Sequence, residues 1–194
     1  TLWKGDRIAL LGESGAGKST LLKVLASMCS AEGEYVINGR SSRDYRYEDF
    51  RKQVTLLSQK TFVYSASIRD NLTMFSGTAQ QDEALTKTLE RAGLSKWYAE
   101  RGASMDTPIG GEEHALSGGE ERRLDLARTL WRKGSLVMLD EPAAGLDKKT
   151  RVELEKQIAQ LPCDILIVAM HNYSPEFLGS FTRVFRMKDG ELTK

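Results

Sequence analysis

The sequence has 194 residues, about the size of one domain, and 40% of them are hydrophobic, which supplies a sizeable core and excludes a disordered chain. Lys and Arg number 28 against 27 Asp and Glu, a formal net charge of +1, so no electrostatic case arises for a nucleic acid partner or an anionic membrane surface. The best apolar run, Ile165-Leu166-Ile167-Val168-Ala169-Met170, is far below the roughly 20 residues a bilayer-spanning helix needs.

No signal peptide precedes the first element, and a start on Thr1 instead of Met suggests a segment cut from something larger. Residues 7–11, Arg-Ile-Ala-Leu-Leu, stop at Gly12 and read as a buried strand running into a tight loop. Residues 18–30 carry Leu21, Leu22, Val24, Leu25 and Met28 at helical spacing. Residues 33–39 read as a strand closed by the Asn38-Gly39 turn, and 54–58 as another strand. Thr78 and Gln81 form a capping box for a helix with Leu85, Leu89 and Ala92 on one face, stopped by Gly93. Residues 95–101 predict a shorter helix ended by Gly102. Glycine pairs at Gly110-Gly111 and Gly118-Gly119 follow, and the second opens a helix to 133 with Leu124, Ala127, Leu130 and Trp131 on one side. Leu136-Val137-Met138-Leu139 is an apolar strand ending in Asp140-Glu141-Pro142. The next helix carries Val152, Leu154, Ile158 and Leu161 and stops at Pro162; the strand from Ile165 ends at His171; residues 181–192 read as two strands around Asp189-Gly190. Cys29 and Cys163 sit in no metal or redox motif and are expected to be small buried hydrophobes in a reducing compartment. Strands alternating with helices predict a mostly parallel α/β core. The helical stretch predicts a subdomain over 67–133 inserted into a core made of 1–66 and 134–194.

Gly12, Glu13, Ser14, Gly15, Ala16, Gly17, Lys18 and Ser19 fit the phosphate-loop pattern, with Thr20 continuing into the helix. Glycines let successive backbone N–H groups turn inward around an anion, and the helix start adds partial positive charge. Lys18 would reach the β- and γ-phosphates and Ser19 would bind Mg²⁺. A glycine-rich turn that merely caps a helix is the alternative; strand, loop, Lys, Ser and helix in order argue against it. The strand 136–140 would deliver Asp140 to the Mg²⁺ side, and Glu141 would polarise a water. By itself an acidic turn after a strand is a common surface pattern. Ser117, Gly118 and Gly119 put a hydroxyl and bare N–H groups at another helix start, a second anion site in one chain.

Leu116-Ser117-Gly118-Gly119-Glu120, upstream of an apolar strand ending in Asp-Glu, resembles the signature motif of ATP-binding cassette (ABC) proteins. Gln59 looks like their Q-loop glutamine, Ala144-Gly145-Leu146-Asp147 like the D-loop, and His171 like the switch histidine. Alone, His171 would read as a satisfied strand-end histidine and Gln59 as a solvated polar residue; the order of the motifs gives both a role. The resemblance covers nearly the whole chain and implies a P-loop NTPase, RecA-like core with a small antiparallel part whose first strands lie upstream. It implies that two cassettes pack head to tail with ATP between the phosphate loop of one and the signature of the other. Ser117 and Gly119 would then touch the partner's γ-phosphate. His171 would contact the γ-phosphate and help hold the water, Gln59 would touch Mg²⁺ or the water, and Asp147 would link the two sites.

Thr107-Pro108-Ile109-Gly110-Gly111-Glu112 and Ser67-Ile68-Arg69-Asp70-Asn71-Leu72 resemble exporter-type cassettes, which implies a transmembrane domain, fused or separate, and a place on the cytoplasmic face of the inner membrane. Glu120 and Gly145 resemble the heterodimeric exporters of cysteine and glutathione used in cytochrome bd assembly. Departures are Glu120 where Gln is usual, Ala144-Gly145 where Ser-Ala is common, and Met170-His171-Asn172 where Thr-His-Arg is common. The adenine-stacking aromatic of the family normally lies upstream of Thr1, so weakened nucleotide affinity is expected; Trp3 is a candidate stand-in for it, but reads better as a core or edge aromatic. Three other functions compete with this one. A soluble ABC-type ATPase of DNA repair would place a long coiled coil between Lys18 and Ser117, which lie only 99 positions apart, and one of translation would carry two cassettes. A regulatory module without turnover has no support while Lys18, Glu141 and His171 are all present. A P-loop kinase or GTPase leaves the second glycine-bordered helix start unexplained.

Overall fold

The computed structural model describes residues 1–33 and 35–193. In chain order the elements are β1 (Arg7–Leu11), α1 (Lys18–Leu25), β2 (Val36–Ile37), β3 (Arg40–Ser41), α2 (Tyr47–Gln53), β4 (Val54–Leu57), β5 (Ala66–Ser67), α3 (Ile68–Thr73), α4 (Asp82–Arg91), α5 (Ser95–Glu100), β6 (Pro108–Ile109), α6 (Gly118–Arg132), β7 (Leu136–Asp140), α7 (Lys148–Ala159), β8 (Ile165–Met170), α8 (Pro175–Leu178), β9 (Arg183–Lys188) and β10 (Glu191–Thr193). They divide between two compact units, one of residues 1–59, 133–142 and 163–194, the other of 60–132 and 143–162.

The first unit is built on a six-stranded sheet in the order β10-β9-β1-β8-β7-β4. β1 pairs parallel with β8 and β9, and β7 pairs parallel with β8 and β4; only β10 runs antiparallel, on β9. Apart from Arg7 at the start of β1 and Asp140 at the end of β7, the central strands β1, β7 and β8 are apolar, as expected where helices or loops cover both faces of a parallel sheet. Ile8, Leu10, Met138, Ile167 and Ala169 pack with Leu22 and Ala26 of the α1 segment and with Phe50 of α2. Register sets the ends level. Leu11 lies opposite Met170, and Asp140 opposite Ala169. The residues that follow, Gly12, Glu141 and His171, therefore emerge together at the carboxyl edge, where open α/β sheets hold ligands.

The expected helix over 18–30 ends at Leu25 instead. Ser27 takes a left-handed backbone (φ 54°), its N–H donates to Val24 O at 2.9 Å, and the Met28 N–H donates to Lys23 O at 2.8 Å. That 6→1 and 5→2 pair is a Schellman stop, and it leaves Met28 and Cys29 exposed. Cys29 is thus not a buried hydrophobe. Cys163 is half-buried, its Sγ accepts from Arg7 Nη1 at 3.1 Å, and burial pushes the thiol pKa up. The hairpin of β2 and β3 turns at Asn38-Gly39, both left-handed, as the Asn-Gly pair predicts; Glu34 of that expected strand lies outside the described residues. Trp3 is 69% exposed and so is no core residue.

In the second unit Leu85, Leu89 and Ala92 are fully buried, with Ile68, Leu72, Leu124 and Ala127 beside them in the interior. The Thr78 N–H donates to Gln81 Oε1 at 3.0 Å, the capping box expected there, opening a single 3₁₀ turn before α4. Residues 143–162 belong to this unit, not to the sheet core as expected. Arg123 Nη2 of α6 donates to Glu153 Oε2 of α7 at 2.6 Å, and a Cβ on Gly119 would sit 3.2 Å from Thr150. No helix among the described residues is long and apolar enough to cross a membrane.

Candidate functional site

The loop from Gly12 to Gly17 joins β1 to α1, and its glycines are needed for different reasons. Gly15 and Gly17 have φ of 85° and 102°, a region that costs other residues strain. Gly12 has an ordinary backbone, but a Cβ there would lie 2.4 Å from Met187 O. The hairpin of β9 and β10 braces the loop: the Gly190 N–H donates to Ala16 O at 3.2 Å. Gly17 caps α1 without a side-chain hydrogen bond. Gly12→Ala is expected to destabilise the fold by about 1–3 kcal/mol, because a backbone carbonyl must move. Gly15→Ala should cost only about 1 kcal/mol of backbone strain, since nothing lies within 4 Å of its Cβ. Urea unfolding of the two variants checks the order.

Lys18 is 4% exposed. Its Nζ donates to Gly12 O at 2.7 Å and Glu13 O at 2.9 Å, and lies 3.4 Å from Glu141 Oε1. The other Glu141 oxygen, Oε2, contacts His171 Nδ1. Three segments far apart in sequence thus bring a cation, a carboxylate and an imidazole into one chain of contacts. Glu141 sits in the left-handed region (φ 50°), with its N–H donating to Ala169 O at 2.9 Å. Strain of about 1–3 kcal/mol in a non-glycine residue persists only where its surroundings enforce it.

Asp140, at the buried end of β7, has an Oδ1 without a hydrogen-bond partner among the described residues. A buried carboxylate oxygen with no donor is costly unless something charged meets it. Ser19, half-buried in the first turn of α1, offers a hydroxyl at the same loop. One carboxylate and one hydroxyl suit a hard cation that keeps water and phosphate oxygens as its remaining ligands, the habit of Mg²⁺. Glu13, Ser14 and Thr20 are exposed, and so is Gln59, two residues beyond β4.

Ser117, Gly118, Gly119 and Asp147 lie in the second unit. Ser117 and Gly118 are exposed at the start of α6. Asp147 caps α7: its Oδ1 accepts from the N–H groups of Lys149 at 2.9 Å and Thr150 at 3.1 Å. Hydrogen bonds from the Thr150 side chain and N–H hold its carboxyl below the usual carboxylate range. The cap therefore stabilises fully above the ordinary carboxylate pKa of about 4 and is lost as pH falls through the lower folded value. Asp147→Ala should lower the thermal midpoint at pH 7, and the gap to the parent should close in acid below about pH 4.

Sequence reasoning missed the brace from Met187 and Gly190, which sits in no motif. It also missed a polar lock in the second unit. Arg128 donates from Nε to Asn71 O at 2.7 Å, from Nη2 to Asn71 Oδ1 at 2.9 Å and from Nη1 to Asp125 Oδ1 at 2.9 Å. Burial raises the Asp125 pKa, against the pull of Arg128.

A family model described as ABC transporter matches residues 1–144. The chain is 35% identical over 193 residues to the glutathione/L-cysteine transport system ATP-binding/permease protein CydC of Haemophilus influenzae, covering 98% of this chain and 33% of that one. It is 30% identical over 191 residues to the ATP-dependent lipid A-core flippase of Photobacterium profundum, covering 97% and 32%. It spans about a third of the length of each of these two relatives. A solved structure titled as a bacterial Atm1-family ABC exporter with ATP bound matches with a TM-score of 0.82 at 24% identity, over 98% of this chain and 33% of that one, a likeness of fold.

Proposed function

The chain belongs to the ABC transporter family, and from that premise we propose that it is the ATP-binding and ATP-hydrolysing domain of an exporter. The observation that carries this reading is the Lys18–Glu141–His171 chain of contacts at the sheet's carboxyl edge, beside a glycine loop shaped for phosphate. Relatives named as combined ATP-binding and permease proteins support a transmembrane partner, fused or separate; this domain is proposed to sit on the cytoplasmic face of that partner's membrane. Substrate choice belongs to that partner; this domain supplies the free energy.

In the proposed reaction Lys18 exchanges Glu141 for the β- and γ-phosphate oxygens, while N–H groups of the loop and the start of α1 take the rest of the charge. Glu141, released from Lys18, accepts a proton from water as its oxygen bonds to the γ-phosphorus. The bond from the γ-phosphorus to the bridging oxygen breaks, and ADP leaves with that electron pair. His171 steadies the carboxylate and the water. Asp140 and Ser19, with Gln59, are the residues that would hold Mg²⁺, which neutralises phosphate charge when bound. Ser117 and Gly119 close the site from a second cassette, and Asp147 faces across the same interface. ATP then joins two domains that ADP leaves apart.

Sedimentation of the chain with Mg²⁺ and either nucleotide tests the reading. ATP is expected to drive dimerisation, ADP to give monomers, and phosphate to appear with time. A chain that stays monomeric at saturating ATP and releases no phosphate overturns it.

A further inference from the structure

Glu120 turns its carboxylate back over the start of α6. Its Oε2 accepts from the Ser117 N–H at 2.7 Å and from the Ser117 hydroxyl at 2.9 Å, and the Glu120 N–H donates to Ser117 Oγ at 3.4 Å. Its Oε1 lies 4.0 Å from Arg101 Nη1, and that guanidinium rests over the Trp97 ring, 4.6 Å from the centroid. This is a reciprocal capping box with a negative charge placed at the positive end of a helix. It engages the Ser117 N–H and hydroxyl internally, two donors that a bound phosphate could otherwise take.

A hydroxyl and an N–H that both donate to a carboxylate have nothing left for a phosphate oxygen, and a carboxylate beside a phosphate repels it. Glutamine at this position would be neutral and would bring an N–H donor of its own. The residue type at 120 therefore decides whether the helix start invites or resists a phosphate.

We propose that Glu120 is a resident anion that competes for the Ser117 donors with the terminal phosphate of a nucleoside triphosphate carried by a second copy of this chain, and that Arg101 moderates the competition by partly neutralising it. The inference rests on the reading above, in which Ser117 faces a partner's nucleotide. Glu120 acts through Ser117 and is a positioning residue. Association driven by triphosphate is held back until the carboxylate leaves Ser117, so this cassette dimerises less readily than its phosphate loop would allow.

The test uses the full chain in a Glu141→Gln background, so that ATP is not consumed. Sedimentation at saturating ATP and Mg²⁺ gives the dimer dissociation constant, nucleotide titration at low protein concentration gives the affinity of the monomer, and thermal midpoints verify folding. Glu120→Gln is expected to tighten the dimer about twofold to fivefold per contact, roughly fourfold to twenty-five-fold for a symmetric pair, with unchanged monomer affinity for ATP. A purely structural cap predicts no tightening, because glutamine closes a capping box as glutamate does. Arg101→Gln is expected to loosen the dimer, and Arg101→Gln with Glu120→Gln to match Glu120→Gln alone. A dimer unchanged or weakened in Glu120→Gln overturns the competition. A double variant as much weaker than Glu120→Gln as Arg101→Gln is than its parent overturns the part given to Arg101. Variants that bind ATP yet never dimerise overturn the underlying reading and this inference with it.

Discussion

Glu141→Gln is expected to cut ATP hydrolysis by about 10²–10⁴-fold, the range for removing a general base, while ATP affinity holds or rises by a factor of a few. The carboxylate contacts both Lys18 and His171 in this structure. Gln keeps the shape but only one acceptor oxygen, where the carboxylate offers one to Lys18 and another to His171, and it cannot take a proton from water. Neutralising it also removes an anion that competes with phosphate for Lys18, which is why affinity should not fall. With the triphosphate intact the dimer should accumulate, visible in sedimentation as a species that persists with ATP and not with ADP. The stability cost should be about 1–3 kcal/mol, since one of the two acceptor oxygens and one charge are lost while Lys18 keeps its two carbonyl partners. Phosphate release at the parental rate would show that another group activates the water.

The backbone at this position provides a control. Glu141 has φ 50°, where a Cβ is strained. Glu141→Gly should therefore be more stable than Glu141→Ala by roughly 1–2 kcal/mol, although both lose hydrolysis. Equal stabilities would mean that the turn relaxes once the carboxylate no longer anchors it.

The sheet was legible because its central strands are uninterrupted apolar runs, each stopped by a residue that cannot continue it. Gly12 ends one, Asp140-Glu141-Pro142 the next and His171 the third. The candidate residues were legible for the same reason: most follow directly on those strand ends or open a helix at a glycine. What stayed hidden depends on long-range or unusual backbone geometry. The Schellman stop uses Ser27 where glycine is the common signal, so the helix seemed to run on past Leu25. Met187 braces Gly12 through its backbone oxygen, which any residue would provide. The grouping of 143–162 with the helical unit goes with contacts such as Arg123 reaching Glu153, between residues 30 apart in the chain. Asp147 has an ordinary local explanation as the cap of α7, and its place in the D-loop pattern adds a proposed second use of the same carboxylate.

Lys18→Ala is expected to weaken ATP binding by at least about 10²-fold, because it deletes a charge-assisted contact to two phosphates in a nearly dry site. Calorimetric titration with ATP and ADP checks it, and both nucleotides should suffer, since each carries a β-phosphate. A loss confined to ATP would place Lys18 on the γ-phosphate alone. Unchanged affinity would remove the phosphate loop from the binding account altogether. The variant also disturbs folding, and that effect must be separated. Lys18 is 4% exposed and is bonded to Gly12 O and Glu13 O. Its removal leaves two carbonyls short of a donor and Glu141 facing only His171 among the contacts described above. Breaking one side of a buried ion pair costs about 3–5 kcal/mol, here reduced because His171 remains. If that penalty arises from the stranded carboxylate, Lys18→Ala combined with Glu141→Gln should regain most of the lost stability while ATP affinity stays low. Two mutations that add in their effect on stability would instead trace the cost to the unpaired carbonyls of the loop. Lys18→Arg would not rescue binding, because a planar fork cannot sit between two carbonyls where a compact ammonium does.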